Sequence, residues 1–338
     1  MIQKFKFING SLEETASNDC QVWVYINPDN DEIELIAKEY DIDRHTVESA
    51  IDPDEISRIE FEEDNLYIIW KRPKNYISSD NFLFGVSSIG LFHLKDKLVV
   101  VLPEDVPLFE QKQHPHFASL MDLIIKFLNN SIRHYLDHIK VMKIISREIQ
   151  VKLNTSMENE YLIQMFNLSE SLIYYINAIS SNLNVLIKLR IYSEKHSGET
   201  FPGNEGRIEQ MEDIVIENSQ CLKQAEIYSS ILSGLMDARG NIINNNMNVL
   251  IKNLTLINII FLPLNLLAGI GGMSEFSMMT NGIDWRISYG LFLGAMCVLG
   301  WVTLKFVKRI NEMSKQSKMV RQSLFSKLKL RKNNGSGV

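Results

Sequence analysis

Three asparagines and a threonine recur on one side of an apolar segment in the last third of this 338-residue chain. Their amide and hydroxyl oxygens can hold water molecules or hard cations. With the apolar and glycine positions between them they keep alternating spacings of three and four residues, which places them on one face of a helix. This polar stripe consists of Asn248, Ile251, Thr255, Asn258, Leu262, Asn265 and Gly269.

The segment that carries the stripe has the length and composition of a membrane span. No charged side chain occurs from 254 to 273, and none occurs from 287 to 304. Each stretch is long enough as a helix to cross about 30 Å of hydrocarbon. The sequence therefore predicts two transmembrane helices, at about 254–273 and 287–306, joined by a short outer loop at 274–286.

The basic residues predict the orientation of these helices. The loop between the spans contains one, Arg286, whereas ten occur from the end of the second span onward, between Lys305 and Lys332. Positive charge collects on the cytoplasmic side of membrane proteins, and Met1 to Ser11 contain no apolar run typical of a signal peptide. We expect a multi-pass protein of the inner cell membrane with both termini in the cytoplasm. The basic tail then meets anionic lipid rather than nucleic acid.

The part before the spans predicts a small α/β domain followed by long helices. Short runs rich in Val, Ile, Tyr and Phe predict strands at 21–26, 65–72, 84–93 and 97–102, with helices at 32–40 and 44–51. Helical spacing takes over at 117–153, at 159–193 and from 205 onward. The predicted fold is an α+β membrane protein with an N-terminal α/β cytoplasmic domain (1–115), a cytoplasmic helical bundle and stalk (116–247), two transmembrane helices (248–307) and a basic cytoplasmic tail (308–338).

The third long helix is unusual because it runs into the first span. Between 205 and 272 the only proline is Pro263. A continuous helix of about 68 residues would be about 100 Å long. Its apolar seam needs partners, which predicts a bundle of symmetry-related copies. The alternative is a break at Gly240 into a soluble helix and a short span.

The polar stripe has two interpretations. An amide that faces lipid would lack hydrogen-bond partners, so the asparagines should face water or one another. A ring of such helices would form a pore, whereas a non-conducting bundle would use the same side chains to join its helices. The residues alone leave both open. For a pore, neutral amides suit a hydrated Mg²⁺ ion, and the absence of Cys and His from the stripe argues against direct ligation of Zn²⁺.

Two histidine patterns elsewhere are weaker candidates. His134, Asp137 and His138 form H-x-x-D-H on a predicted helix, and histidines four apart can share a metal. The third ligand and the general base of a zinc protease are missing, so we expect a packed or solvated pair. His114 and His116 lie in a predicted loop and are expected at the surface.

Catalytic and cofactor motifs give no alternative function. Cys20, Cys221 and Cys297 are far apart in the sequence, so we expect packing residues rather than a disulfide framework or a metal site. The sequence contains no glycine-rich nucleotide-binding motif and no nucleophile elbow of a hydrolase. We expect no enzyme activity and no cofactor.

The C-terminal part combines a long apolar segment with a fixed order of features after it. The segment from Asn248 to Ser274, NVLIKNLTLINIIFLPLNLLAGIGGMS, is followed by an acid, a short loop, a second span and a basic tail. This arrangement resembles the CorA family of divalent-cation channels. The segment's LPL step at 262–264 and its AGIGGM run at 268–273 match the pore helix, and SGLMD at 233–237 matches the stalk. Residues 22–24 and 50–53 are similar to the cytoplasmic domain. The resemblance implies a homopentamer that conducts divalent cations, most readily Mg²⁺, through the stripe, with membrane lipids and no nucleic acid as further partners.

The resemblance also places the pore mouth. The family carries a Gly-Met-Asn loop there, and this chain has Gly272, Met273 and Ser274. A serine hydroxyl is shorter than an amide and offers one donor and two acceptor lone pairs, so we expect weaker capture of the hydrated ion or a changed ion preference. Glu275 either raises the local cation concentration or is an ordinary solvated loop acid.

Regulation by the transported ion is a further implication. The family closes its pore when cytoplasmic Mg²⁺ bridges carboxylates of neighbouring subunits. A gapless match from the pore places Asp213 at one of these positions, and Asp80 is the nearest candidate for its partner. The alternative is a solvated helix face, because acids recur around Asp213 at 205, 209, 212 and 217.

Two other functions fit the same fold. One is a proton-coupled Zn²⁺ or Ni²⁺ transporter of the ZntB type. The other is a non-conducting, membrane-anchored sensor or scaffold. The polar stripe favours conduction, since a scaffold has no need of three asparagines that face a pore.

Overall fold

A computed structural model describes residues 1–8, 11–17, 19–62, 65–75, 82–106, 119–155, 159–195, 204–279 and 281–333. It describes their side chains except those at 8, 11, 154–155, 159, 204–207, 275–277 and 310–333. Contacts between residues divide the chain into two compact units, Met1–Ala238 and Arg239–Val338.

The first unit combines a sheet with helices, and the second contains helices in its described part. The strands are β1 (Ile2–Ile8), β2 (Ser11–Glu14), β3 (Val22–Ile26), β4 (Arg58–Glu62), β5 (Asn65–Pro73), β6 (Val86–Leu94) and β7 (Lys97–Leu102). The helices are α1 (Asn30–Tyr40), α2 (Arg44–Ser49), α3 (Leu120–Thr155), α4 (Asn159–Lys195), α5 (Asn204–Gly271), α6 (Ser274–Met279) and α7 (Trp285–Asn333). Helix α5 belongs to both units.

The strands form one sheet whose two faces are both covered by helices. Its order is β2-β1-β3-β7-β6-β5-β4, with β3 parallel to β7 and the other neighbours antiparallel. On β3, Val22 and Val24 face the core formed with α3, α4 and α5, whereas Trp23 and Tyr25 face the core formed with α1 and α2. Burial on both faces explains why the central strands are nearly continuous apolar runs.

Helices α3, α4 and α5 share one apolar core with the sheet. Met211, Cys221 and Leu232 of α5 are buried in it together with residues of α3 and α4. All 68 residues of α5 are helical, including Gly240, so the prediction of a continuous helix is confirmed. Cys20 and Cys221 are buried, as expected of packing residues, while Cys297 is exposed in the single chain.

A buried asparagine joins α4 to the sheet. Asn182 Oδ1 accepts hydrogen bonds from Ser57 Oγ (2.7 Å) and from the backbone N–H of Lys71 (3.1 Å). Its Nδ2 donates to the carbonyl of Lys71 at 2.8 Å. The amide thus satisfies both backbone groups of one residue of β5, which fixes α4 on the sheet.

Loss of this amide should destabilise the first unit. Asn182→Ala leaves two buried backbone groups of Lys71 without partners, so we expect the free energy of unfolding to fall by about 2–4 kcal/mol. Thermal unfolding followed by circular dichroism measures the change. The control is Asn184→Ala, since Asn184 is exposed on the same helix. Equal midpoints for the two variants would contradict this role of Asn182.

Several predicted elements differ from the structure. Strands β3, β5, β6 and β7 and helices α1 to α5 were predicted within a few residues, but β1, β2 and β4 were not predicted at all. The region 274–286, expected as a loop, contains the short helix α6. The backbone of the basic tail is helical as far as Asn333, because α7 continues beyond the span.

A polar stripe on helix α5 as the candidate functional site

The second unit contains two helices that are long and apolar enough to cross a membrane. They are α5 up to Gly271 and α7 from Trp285 to Arg309, and within the single chain almost none of either apolar stretch is buried. Helix α7 begins at a capping aspartate. Asp284 Oδ1 accepts the backbone N–H of Arg286 at 3.1 Å, and its carbonyl accepts those of Ile287 and Ser288. This cap ends the connection between the spans.

One face of each helix is shielded from solvent. The half-buried or buried positions follow spacings of three and four, at 256, 260, 263, 264, 267 and 271 on α5 and at 288, 292, 296, 299, 300, 303 and 307 on α7. A Cβ atom built on Gly271 would lie 2.5 Å from Phe292 Cζ, and one on Gly300 would lie 3.9 Å from Leu264. The two helices therefore pack antiparallel along these faces.

The polar stripe lies on the opposite side of α5. At about 100° per residue, its members are centred about 160° around the helix from the face that packs on α7. All seven are exposed in the single chain. A Cβ on Gly269, a stripe position, would have no atom within 4 Å, in contrast to Gly271. Helix α7 thus covers one side of α5 and leaves the stripe open.

The stripe carries polar groups at intervals along the helix, with apolar positions among them. Asn258 and Asn265 are about 10 Å apart along the axis, with Leu262 between them. The Thr255 hydroxyl donates to the carbonyl of Ile251 at 2.8 Å, which leaves its oxygen able to accept from water. Amides and a hydroxyl at this spacing can hold the water shell of a cation without replacing it.

The stripe begins earlier on α5 than we predicted from the sequence. Helix α5 is continuous, so Asp237, Asn241 and Asn244 keep the same spacing below Asn248, and all three are exposed. The same spacings of three and four residues are visible in the sequence. These positions were not predicted because the stripe was defined from the uncharged segment and the few residues directly before it.

The expected pore-mouth residues follow directly on the last turn of α5. The N–H of Gly272 lies 3.1 Å from the carbonyl of Ala268 and 3.2 Å from that of Gly269. The N–H of Met273 donates to the carbonyl of Ile270 at 3.1 Å. Ser274 begins α6, and the side chain of Glu275 lies outside the described residues. The position of Ser274 is therefore tied to the end of α5.

The expected regulatory carboxylates are not brought together within the described part of the chain. Asp213 is exposed on α5, beside the buried residues Met211 and Ile214. Asp80 lies outside the described residues. Among the residues that the structure describes, no three His, Cys, Asp or Glu side chains are grouped so that they could hold a metal ion.

The two histidines of the H-x-x-D-H pattern are packing residues. His138 is 8% exposed, and its Nδ1 lies 2.7 Å from the Tyr175 hydroxyl. Its ring centroid is 4.3 Å from that of His134 and 5.4 Å from that of Phe84. Burial lowers the pKa of His138 to about 4 and also lowers that of His134. His114 and His116 lie outside the described residues.

The buried histidine predicts a loss of stability in acid. His138 binds fewer protons in the folded chain, where its pKa is about 4, than in the unfolded chain, where it is about 6.5. Stability should therefore fall as the pH drops below about 6.5, by up to about 1.4 kcal/mol per pH unit, and level off near pH 4. Thermal unfolding between pH 7.5 and 5 tests this. His138→Gln should flatten the profile. Equal slopes for the parent and for His138→Gln would contradict this role of His138.

The chain is similar to proteins of one known family over most of its length. The family model described as CorA-like Mg2+ transporter protein matches residues 21–309, which include most of the sheet, the long helices α3, α4 and α5 and both candidate spans. The chain is similar to the cobalt/magnesium transport protein CorA of Methanocaldococcus jannaschii, with 23% identity over 279 residues, 79% of this chain and 84% of that protein.

Solved structures show the same fold. The complete CorA magnesium transporter from Methanocaldococcus jannaschii superposes with a TM-score of 0.68 at 20% identity, covering 91% of this chain and 96% of that one. The cytoplasmic domain of ZntB from Vibrio parahaemolyticus gives a TM-score of 0.53 at 16% identity, over 72% of this chain and 98% of that one. With an N-terminal α/β domain, a long helix and two apolar C-terminal helices, this chain belongs to the CorA-like family of Mg²⁺ transporters and is a divalent-cation transporter of the membrane.

Proposed function

We propose that this protein is a channel for the uptake of Mg²⁺ across the inner cell membrane. Five copies form a ring in which the polar stripes of α5 face the axis and pass hydrated ions. The observation that carries this proposal is the arrangement of α5, whose one side packs on α7 while the opposite, asparagine-bearing side stays open.

The cost of exposing amides to lipid supports the ring. Within the hydrocarbon, Asn258 and Asn265 must find water or polar partners, and α7 offers neither on that side. A ring of copies supplies a shared aqueous space. Its amides would contact the waters of the ion rather than the ion itself, which suits Mg²⁺ because this ion dehydrates reluctantly. A divalent cation gains about 4.6 kcal/mol on crossing 100 mV, which is enough to drive uptake.

Aromatic and basic residues support the orientation with both termini in the cytoplasm. Lys305 Nζ lies 4.9 Å from the Trp301 ring centroid, and the Arg286 guanidinium carbon lies 5.5 Å from that of Trp285. Tryptophan beside a cation is typical of a membrane interface, and these pairs stand at the two ends of the apolar part of α7. The larger basic excess follows Trp301, which favours the cytoplasm for that end.

Asp213 and Asp80 are the proposed regulatory pair. Asp213 is exposed on α5, so its carboxylate is accessible to a cation. Cytoplasmic Mg²⁺ bridging such carboxylates would hold the ring closed and would release it when Mg²⁺ is scarce. This function for the two aspartates rests on the family resemblance and on the exposure of Asp213.

Ion uptake into liposomes tests the proposed function. The purified protein is reconstituted, an inside-negative potential is imposed with K⁺ and valinomycin, and Mg²⁺ entry is followed with an internal fluorescent indicator. We expect voltage-driven entry that Co²⁺ and Ni²⁺ reduce by competition and that a pH gradient does not drive. Entry of Zn²⁺ driven by a pH gradient would favour transport of the ZntB type instead. Absence of ion entry from intact pentamers would favour a non-conducting sensor.

A further inference from the structure

A close contact between the two apolar helices lies at the C-terminal end of α5, at Gly271. A Cβ atom on Gly271 would come within 2.5, 2.9 and 3.1 Å of three ring carbons of Phe292. Carbon atoms normally pack about 3.5–4.0 Å apart, so this position has no room for a side chain. The ring of Phe292 therefore lies directly against the backbone of Gly271.

A second glycine in the same helix pair has more room. A Cβ on Gly300 would meet Leu264 at an ordinary 3.9 Å. The helix pair is thus in direct ring-to-backbone contact at Gly271 and in ordinary contact about 10 Å further along α5, at Leu264.

Gly271 is the last residue of α5, and the mouth residues follow it at once. The backbone N–H groups of Gly272 and Met273 are held by carbonyls of the final turn, at Ala268, Gly269 and Ile270. Ser274 then opens α6. A displacement of the final turn is therefore passed on to Ser274 through backbone hydrogen bonds, without a flexible segment between them.

We infer that Phe292 is a positioning residue for the pore mouth. Its ring holds the last turn of α5 and so sets how far Ser274 of each copy stands from the axis of the ring. That distance decides which hydrated cation the mouth admits most readily. The inference rests on the proposed function, because it needs Ser274 to face the ion path, but Phe292 itself does not contact the ion.

The size of the expected displacement makes the effect measurable. To accept a Cβ on Gly271, the ring and the backbone must separate by about 1 Å to restore normal carbon contacts. Packed helices resist such a shift, so part of it must appear as movement of the final turn. Removing the ring also displaces the final turn, because the turn then loses its support.

Paired variants test this contact. Gly271→Ala forces the ring away, Phe292→Leu removes it, and the double variant combines the smaller side chain with the added methyl group. Initial rates of Mg²⁺ and Co²⁺ entry into liposomes are measured over a range of ion concentrations. We expect each single variant to raise the KM for Mg²⁺ at least threefold and to change the ratio of Mg²⁺ to Co²⁺ rates. The double variant should return both to within about twofold of the parent.

The matched control is Gly300→Ala, which makes the same substitution at the ordinary contact of the same helix pair and should leave KM and the ion ratio unchanged. Size-exclusion chromatography confirms that all variants assemble as the parent does. If the parent conducts and both single variants keep its KM and ion ratio, or if the double variant shows no recovery, the positioning role is overturned while the proposed function stands. If the parent itself passes no divalent cation, the proposed function fails and this role fails with it.

Discussion

Replacement of Asn258 by leucine is expected to lower the rate of Mg²⁺ entry by at least about tenfold. In the parent chain the stripe carries polar groups at Thr255, Asn258 and Asn265. Without the middle amide, about 15 Å of α5 between Thr255 and Asn265 would present only apolar side chains to the axis. An apolar constriction sheds water and raises the barrier for a hydrated ion, and each 1.36 kcal/mol of added barrier slows passage tenfold.

Two controls separate the loss of the amide from a general effect on the helix. Asn258→Gln retains an amide at the same position and should keep most of the flux. Asn253→Leu makes the same substitution five residues earlier in the sequence, on the side of α5 that faces α7. It should leave the flux within about twofold of the parent. Equal losses in Asn258→Leu and Asn253→Leu would show that the stripe does not line the path.

Ser274→Asn is expected to lower the KM for Mg²⁺ by about three- to tenfold, which corresponds to about 0.7–1.4 kcal/mol of added binding. The longer amide offers two donors in place of one and reaches further from the end of α5, so each copy in the ring gains a contact to the ion's water shell. The preference for Mg²⁺ over Co²⁺ should change at the same time, because the two ions hold their waters differently. Initial rates in liposomes give both quantities.

A third side chain at the same position completes the series. Ser274→Ala removes the hydroxyl while keeping the end of α5 and the start of α6, so its KM should exceed that of the parent. We expect the apparent affinity for Mg²⁺ to increase in the order alanine, serine, asparagine at position 274. An asparagine variant with unchanged KM and unchanged ion preference would mean that position 274 does not contact the hydrated ion.

The central part of the sheet could be predicted from the sequence because its strands are buried on both faces. Strands β3, β5 and β7 are almost continuous runs of large apolar residues, which is a strong signal. Strands β1, β2 and β4 gave a weaker one. β2 and β4 are the two edges of the sheet and carry charged residues, as edge strands commonly do, and β1 alternates lysine with phenylalanine beside an edge.

The polar stripe could also be predicted from the sequence, since asparagine in an apolar helix stands out against leucine and isoleucine. The side of α5 that meets α7 could not, because apolar residues occupy most of the helix surface and lipid and protein suit them equally. Gly271 indicated a close approach, but its neighbour could not be named before the structure placed Phe292 against it. The hydrogen bond from Asn182 to Lys71 was not predicted either, because the two residues are far apart in the sequence and only the fold brings them together.

A blocking reagent tests most directly whether the polar stripe of α5, and not the face toward α7, lines the ion path. In a Cys297→Ser background, Asn265→Cys and Leu267→Cys place a thiol on opposite sides of α5, two residues apart. A small cationic thiol reagent is added outside liposomes during Mg²⁺ entry. We expect the reagent to stop entry through the Asn265→Cys protein and to leave entry through the Leu267→Cys protein unchanged. Block at position 267 with no block at position 265 would contradict the claim that the stripe lines the ion path.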